Sequence, residues 1–155
     1  MIQRNHRRIR LCIIILCLNL AFIWGNSLLP GEISGALSKW VRDLINWIFR
    51  LPAKDPEQGH GLLRKIAHFT EFACLGVWLR WLWGMLEAKR LKAVLYPFAT
   101  AIAVACIDET IQIFVPLRGP GIKDVLIDTA GALTGITILT LTHWLKTKKL
   151  EESKR

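Results

Sequence analysis

Seven polar side chains stand inside otherwise apolar stretches of this 155-residue chain: His68 and Glu71, then Asp108, Glu109 and Gln112, then Asp124 and Asp128. An Asp at the centre of a membrane-spanning helix is unfavourable by roughly 2.5–3.5 kcal/mol on insertion scales, so ionisable residues in such places are functional candidates by default. Three kinds of chemistry are open to them. In a hydrolytic or transferase site, His68 serves as general base or metal ligand, with Glu71, Asp108 and Glu109 as partners. A carboxylate-rich site of that kind suits a divalent ion such as Mg²⁺ or Mn²⁺, although no spacing here is diagnostic of a metal and His-x-x-Glu alone is weak. In a binding site, Gln112, Asp124 and Asp128 take a ligand, with Arg118 and Lys65 at the rim. The Arg118 fork suits carboxylate or phosphate oxygens, and Arg64 and Lys123 add positive charge at the same mouth. An outer-leaflet lipid, a polyprenyl phosphate or other lipid-linked envelope precursor, and a small solute all fit that description. In a purely structural network, the carboxylates pair with His68, Arg118 and Gln112 and fix helix register. Five acids facing few cations is the weakness of that third reading. The residues alone leave all three open, and with them the question of enzyme or not.

Four apolar stretches long enough to span a bilayer, about 20 residues each, are present to position these groups: 9–29, 66–86, 91–115 and 125–145. Basic residues mark one side. Arg4, Arg7, Arg8 and Arg10 precede the first stretch, Lys89, Arg90 and Lys92 separate the second from the third, and Lys146, Lys148, Lys149, Lys154 and Arg155 follow the fourth. The positive-inside rule makes that side cytoplasmic, with both termini on it. The basic residues of the first loop (Lys39, Arg42, Arg50, Lys54, Arg64, Lys65) run against the rule, but that loop is also the one expected on the bilayer surface. The basic start followed by Leu11–Trp24 resembles a secretory signal, yet no small-x-small cleavage site follows, so an uncleaved anchor is expected. Within the first loop, Ile33, Leu37, Trp40, Leu44, Trp47 and Leu51 recur at helical spacing opposite Lys39, Arg42, Asp43, Asn46 and Arg50. This predicts an amphipathic helix over 33–51 lying flat on the outer leaflet, the alternative being a helix packed in a small outer subdomain. A turn-rich linker over 52–61 follows.

The expected fold is therefore an all-α membrane protein: one domain over 1–155, with four transmembrane helices and one interfacial helix in the first outer loop. On this topology the polar residues of three segments reach one depth at the outer side. Asp124, Asp128, Gly131 and Gly135 share a face of the last helix, and Gly131-x-x-x-Gly135 permits close approach of a partner helix. Ala101 and Ala105 extend the Asp108–Gln112 face in the same way. A net charge of +9 raises nucleic acid as a partner, but the basic residues sit where helices leave the membrane, and lipid headgroups account for them. Cys12, Cys17, Cys74 and Cys106 form no CxxC pair and read as small buried apolar residues. Arg80, among Trp78, Trp81 and Trp83, reads as a snorkelling anchor.

Several of these residues carry a resemblance. Lys65-x-x-His68-Phe69-x-Glu71-Phe72, Asp108-Glu109-x-x-Gln112, Phe114-x-Pro116-x-Arg118 and Asp124-x-x-x-Asp128-x-x-Gly131-x-x-x-Gly135 resemble the VanZ-like membrane proteins over about Lys65–Gly135, with Asn26-Ser27 a weaker match. The resemblance implies a small polytopic bacterial membrane protein of the cytoplasmic (inner) membrane, related to the cell envelope, in a family of which one branch is linked to low-level teicoplanin resistance. This chain departs from the pattern at Ile111, where many relatives resembling it carry His before the Gln.

Overall fold

The computed structural model describes residues 2–49, 60–86, 89, 91–119 and 121–153. These form five α-helices, and no strand occurs among the described residues: α1 Ile2–Ser27, α2 Gly31–Phe49, α3 His60–Leu86, α4 Lys92–Ile113 and α5 Ile122–Glu152. Three of them are long and apolar enough to cross a membrane, namely α1 from His6 onward, α4 and α5. The 22 residues of α4 measure about 33 Å at 1.5 Å per residue. α3 has the length, 27 residues, but carries His68 and Glu71 in its first half and Arg80 in its second. Its place in the bundle accounts for that composition, because α3 packs against each of the other four helices and turns much of its surface to protein.

Hydrogen bonds between helix ends fix the topology. Asn26 at the end of α1 meets Glu71 near the start of α3, Ser27 meets Asp108 near the end of α4, and Glu109 meets Gly121 at the start of α5. Cys12 in α1 meets the Trp78 carbonyl farther along α3. Helices α1, α3, α4 and α5 thus alternate up and down, and Glu71, Asp108, Glu109, Asp124 and Asp128 all lie toward one end. Buried residues form one stripe per helix: Cys12, Leu16, Ile23 and Ser27 on α1, Phe72, Leu75 and Leu79 on α3, Ala101, Val104, Ala105 and Asp108 on α4, Asp128, Ala132 and Ile136 on α5. The opposite faces are apolar as well: Leu11, Ile14, Leu18 and Phe22 project outward from α1, as do Leu133, Ile138 and Leu141 from α5. A bundle with buried acids and an apolar outer surface is built for lipid, not water.

The closest packing joins α3 to α5. A Cβ on Gly131 would collide with the Phe69 carbonyl, one on Gly135 with the Ala73 carbonyl, and one on Gly76 with the Ala132 carbonyl. The face expected from Gly131 and Gly135 is thus real, its partner is α3, and Gly76 completes it from the other side.

Several expectations need correction. α3 starts at His60, inside the stretch read as linker, so Arg64 and Lys65 are helical. Residues 52–59 of that linker, Lys54 among them, and Arg50 and Leu51 at the end of the amphipathic stretch lie outside the described residues, as do Arg90, Lys154 and Arg155. α5 runs on to Glu152, well past 145, because no Gly or Pro interrupts the chain there. Only Cys12 is buried; Cys17, Cys74 and Cys106 face outward from the bundle and all four are free. Arg80 does not snorkel to the surface but is buried, its Nε donating to Thr140 Oγ1 of α5 at 3.0 Å. The Thr140 hydroxyl donates in turn to the Ile136 carbonyl at 2.7 Å, so a side chain one helix away satisfies part of a charge that sequence reading sent to water. The stripe of α2 packs on no core: Trp40 is 62% and Trp47 78% exposed.

Candidate functional site

The cluster gathers side chains from four helices, one more than the sequence brings to notice. α1 contributes half-buried Asn26 and buried Ser27, the latter the end of its buried stripe. Asn26 Nδ2 donates to Glu71 Oε1 at 2.8 Å. Ser27 Oγ donates to Asp108 Oδ2 at 2.8 Å, and Gln112 Nε2 donates to the same oxygen at 2.9 Å and approaches Ser27 Oγ at 3.2 Å. The i, i+4 spacing of Asp108 and Gln112 makes that second bond a product of helix geometry. The only sequence signal for the α1 pair was the weaker match of Asn26-Ser27 to the family pattern.

Two residues expected over or in the site have backbone partners. Glu109 Oε2 accepts the Gly121 N–H at 2.8 Å, at the N-terminus of α5, where unpaired N–H groups and the helix dipole favour a carboxylate. Glu109 is thereby an anchor for α5, with a looser contact from Gln112 at 3.4 Å. Arg118 does not offer a free fork above the acids. Its Nε donates to the Leu29 carbonyl at 2.9 Å and its Nη2 to the Asn26 carbonyl, so it satisfies the carbonyl end of α1 and leaves only Nη1 without a partner. The loop that carries it is held tightly: Gly31 N–H donates to the Pro116 carbonyl at 3.1 Å, Leu117 adopts φ 57°, and a Cβ on Gly31 would strike the Leu117 carbonyl.

What remains is a core of unsatisfied groups. His68 Nδ1 lies 3.9 Å from Asp108 Oδ2 and 3.8 Å from Asp128 Oδ1, beyond hydrogen-bond length. His68 Nδ1, Asp108 Oδ1, both oxygens of Asp128 and Glu71 Oε2 are buried without a partner. Buried polar atoms are nearly always satisfied, so this concentration at one point is unusual. The three groups of His68, Asp108 and Asp128 present ligand atoms all within 4.8 Å of one another. A space of ≈10 Å³ is lined by His68 and Asp128, though not by Asp108, together with Glu109, Gln112, Asp124, Ile127, Arg64 and the exposed Lys65. A cavity of that size admits about one water or ion, so neither a headgroup nor a drug fits inside. Of the nine residues the sequence singles out, the structure bonds Gln112 to Asp108, sets His68 Nδ1 within 3.9 Å of Asp108 and Asp128, ties Glu71 to Asn26, lines the small space with Asp124 and Lys65, and gives Glu109 and Arg118 backbone partners at helix ends.

A family model described as VanZ/LLP1 matches residues 11–143. No curated protein and no solved structure matches the chain.

Proposed function

Because the chain belongs to the VanZ/LLP1 family, we propose that it is a multi-pass protein of the bacterial cytoplasmic membrane whose polar cluster opens to the outer face and serves the cell envelope, glycopeptide (teicoplanin) tolerance being the role to test first. Family and apolar helices make it a membrane protein. In this reading α3 is the fourth crossing, with its polar residues covered by its neighbours, and α2 lies in the outer interface with Trp40 and Trp47 in lipid. The basic ends of α1 and α5, carrying Arg7, Arg8 and Arg10 and Lys146, Lys148 and Lys149, lie opposite the acids and support cytoplasmic termini. The observation that carries a functional over a structural cluster is the set of orphaned atoms on His68, Asp108 and Asp128. A network present only to fix register would satisfy its own members.

The test is drug susceptibility of a bacterium expressing the native chain, Asp108→Asn or Asp128→Asn, with membrane abundance quantified. Raised teicoplanin tolerance, lost in both variants at equal abundance, is the expected result. Variants that lose tolerance only in step with abundance make the cluster scaffolding.

A second reading, hydrolysis or group transfer on an outer-leaflet lipid or polyprenyl phosphate, is favoured by one observation. Arg64 and Lys65 border the same small space as His68 and Asp128, so an anionic headgroup docked on that rim presents its phosphate to the buried groups. Phosphate release from a polyprenyl phosphate by the purified protein, weakened by Arg64→Gln and abolished by His68→Gln, is its signature.

A further inference from the structure

We propose that His68, Asp108 and Asp128 bind one divalent transition cation, of the Mn²⁺ or Zn²⁺ class. The inference deepens the reading of the cluster as functional and shares its residues, but its readouts are independent of any drug phenotype.

Distance is the first argument. His68 Nδ1 stands 3.9 Å from Asp108 Oδ2, the oxygen that also accepts from Ser27 and Gln112, and 3.8 Å from Asp128 Oδ1. That is too far for direct bonds, but metal–N and metal–O bonds of about 2.0–2.2 Å set two donors on one ion roughly 3–4.4 Å apart. Both His68 pairs fall in that range, and the ligand atoms of all three residues, from three separate helices, lie within 4.8 Å of one another, at most a few tenths of an ångström beyond it.

Counting gives the second. Asp128 is 1% exposed and Asp108 fully buried, and four atoms await a partner: both Asp128 oxygens, Asp108 Oδ1 and His68 Nδ1. The space lined by His68 and Asp128 holds about one water-sized particle. One water donates only two hydrogen bonds, whereas one cation ligates several lone pairs at once. Charge agrees, since two carboxylates and a neutral imidazole are matched by a dication. Arg118 gives its Nε and Nη2 to the carbonyls of Leu29 and Asn26, while Arg64 and Lys65 line the same small space.

The surroundings supply the third. Asp108 Oδ2 is fixed by Ser27 at 2.8 Å and Gln112 at 2.9 Å, the kind of outer contact that orients a ligating carboxylate. One imidazole with two carboxylates suits Mn²⁺ or Zn²⁺ better than Mg²⁺, which prefers oxygen alone and holds its waters.

The experiment uses the full chain, purified in detergent through a cleavable tag without histidines, stripped with chelator and titrated with MnCl₂, ZnCl₂ or MgCl₂ by calorimetry, bound metal being counted by mass spectrometry. About one equivalent of Mn²⁺ or Zn²⁺ is expected, with Asp128→Asn and His68→Gln each weakening affinity tenfold or more and exposed Glu32→Gln leaving it unchanged. Metal raises the Tm of the native protein and leaves that of Asp128→Asn unmoved. Removing a carboxylate relieves repulsion in the stripped state, so Asp128→Asn is expected to fold; if it does not, titration of the native chain together with His68→Gln decides. Native protein that takes up no metal at millimolar concentration, or that binds it as tightly after Asp128→Asn and His68→Gln, overturns the proposal. One equivalent bound without any drug phenotype leaves the metal site standing and removes the envelope role; a phenotype without metal does the reverse.

Discussion

Ser27 and Glu109 show how single side chains divide the labour of the cluster. Ser27 is fully buried and its hydroxyl links Asp108 to Gln112. Ser27→Ala removes the shortest bond to Asp108 without changing volume much, and a loss of about 1–3 kcal/mol is expected from the under-bonded carboxylate. Equilibrium unfolding in mixed detergent micelles measures it, and a stability equal to native would mean Asp108 has another partner. Glu109 is different, because its bond is to the Gly121 backbone. Glu109→Gln keeps an acceptor there and is expected to retain most of the stability, whereas Glu109→Ala loses about 1–2 kcal/mol as a lost cap does. Equal losses in the same unfolding assay would show that the charge and not the bond matters. Sequence alone makes Asp108 and Glu109 look equivalent. Successive helix residues point about 100° apart, so adjacent acids meet different neighbours, and which neighbours depends on α1 and α5 being in place. The same reason hid Asn26: an amide at the end of an apolar stretch is ordinary until Glu71 is found 2.8 Å away.

At the scale of elements, α3 and α5 are held at a separation that only glycine allows. Gly131→Ala drives a methyl into the Phe69 carbonyl and Gly135→Ala one into the Ala73 carbonyl. Backbone cannot yield as a flexible side chain does, so each is expected to destabilise by about 1–3 kcal/mol or more and to spread the His68–Asp128 pair that the two helices carry. Gly25→Ala in α1 is the matched control. Nothing lies within 4 Å of its new methyl, and a gain of up to about 1 kcal/mol is expected from helix propensity. Thermal unfolding of the three variants distinguishes contact from propensity; similar behaviour at Gly25 and Gly131 would mean the interface is looser than described. The line Asp124, Asp128, Gly131, Gly135 was legible because it depends on one helix's own period. Its partner was not, because pairing belongs to the whole bundle and Gly76 carries no mark in the local pattern. Arg80 fails for the same reason: Thr140 is 60 residues away, and only the packing of α3 on α5 turns a surface anchor into a buried donor.

The molecule as a whole is polarised along its axis. One end holds the acids with Asn26, Ser27 and the loop of Arg118; the other holds the basic start of α1 and the basic close of α5, where exposed Lys148 pairs with Glu152 at 3.9 Å. α2 leaves from the acidic end beside Pro116 with Lys39 exposed and Trp40 and Trp47 bare on the apolar side. In the reading proposed above, a helix with that division lies in an interface, and the positive-inside rule puts that interface outside. Single cysteines at Lys39 and Lys148, in a chain whose four native cysteines are replaced, make the arrangement measurable. Cys17, Cys74 and Cys106 face outward and tolerate Ser or Ala more readily than buried Cys12, which takes Ala best because its thiol makes one weak bond, to the Trp78 carbonyl at 3.6 Å. A membrane-impermeant maleimide added to intact spheroplasts is expected to label position 39 and spare position 148, with both labelled after lysis. The reverse pattern would turn the acidic end to the cytoplasm and end any role in contact with a drug outside the membrane. Protection of both positions in intact cells would bury α2 inside an assembly and take its apolar stripe out of lipid.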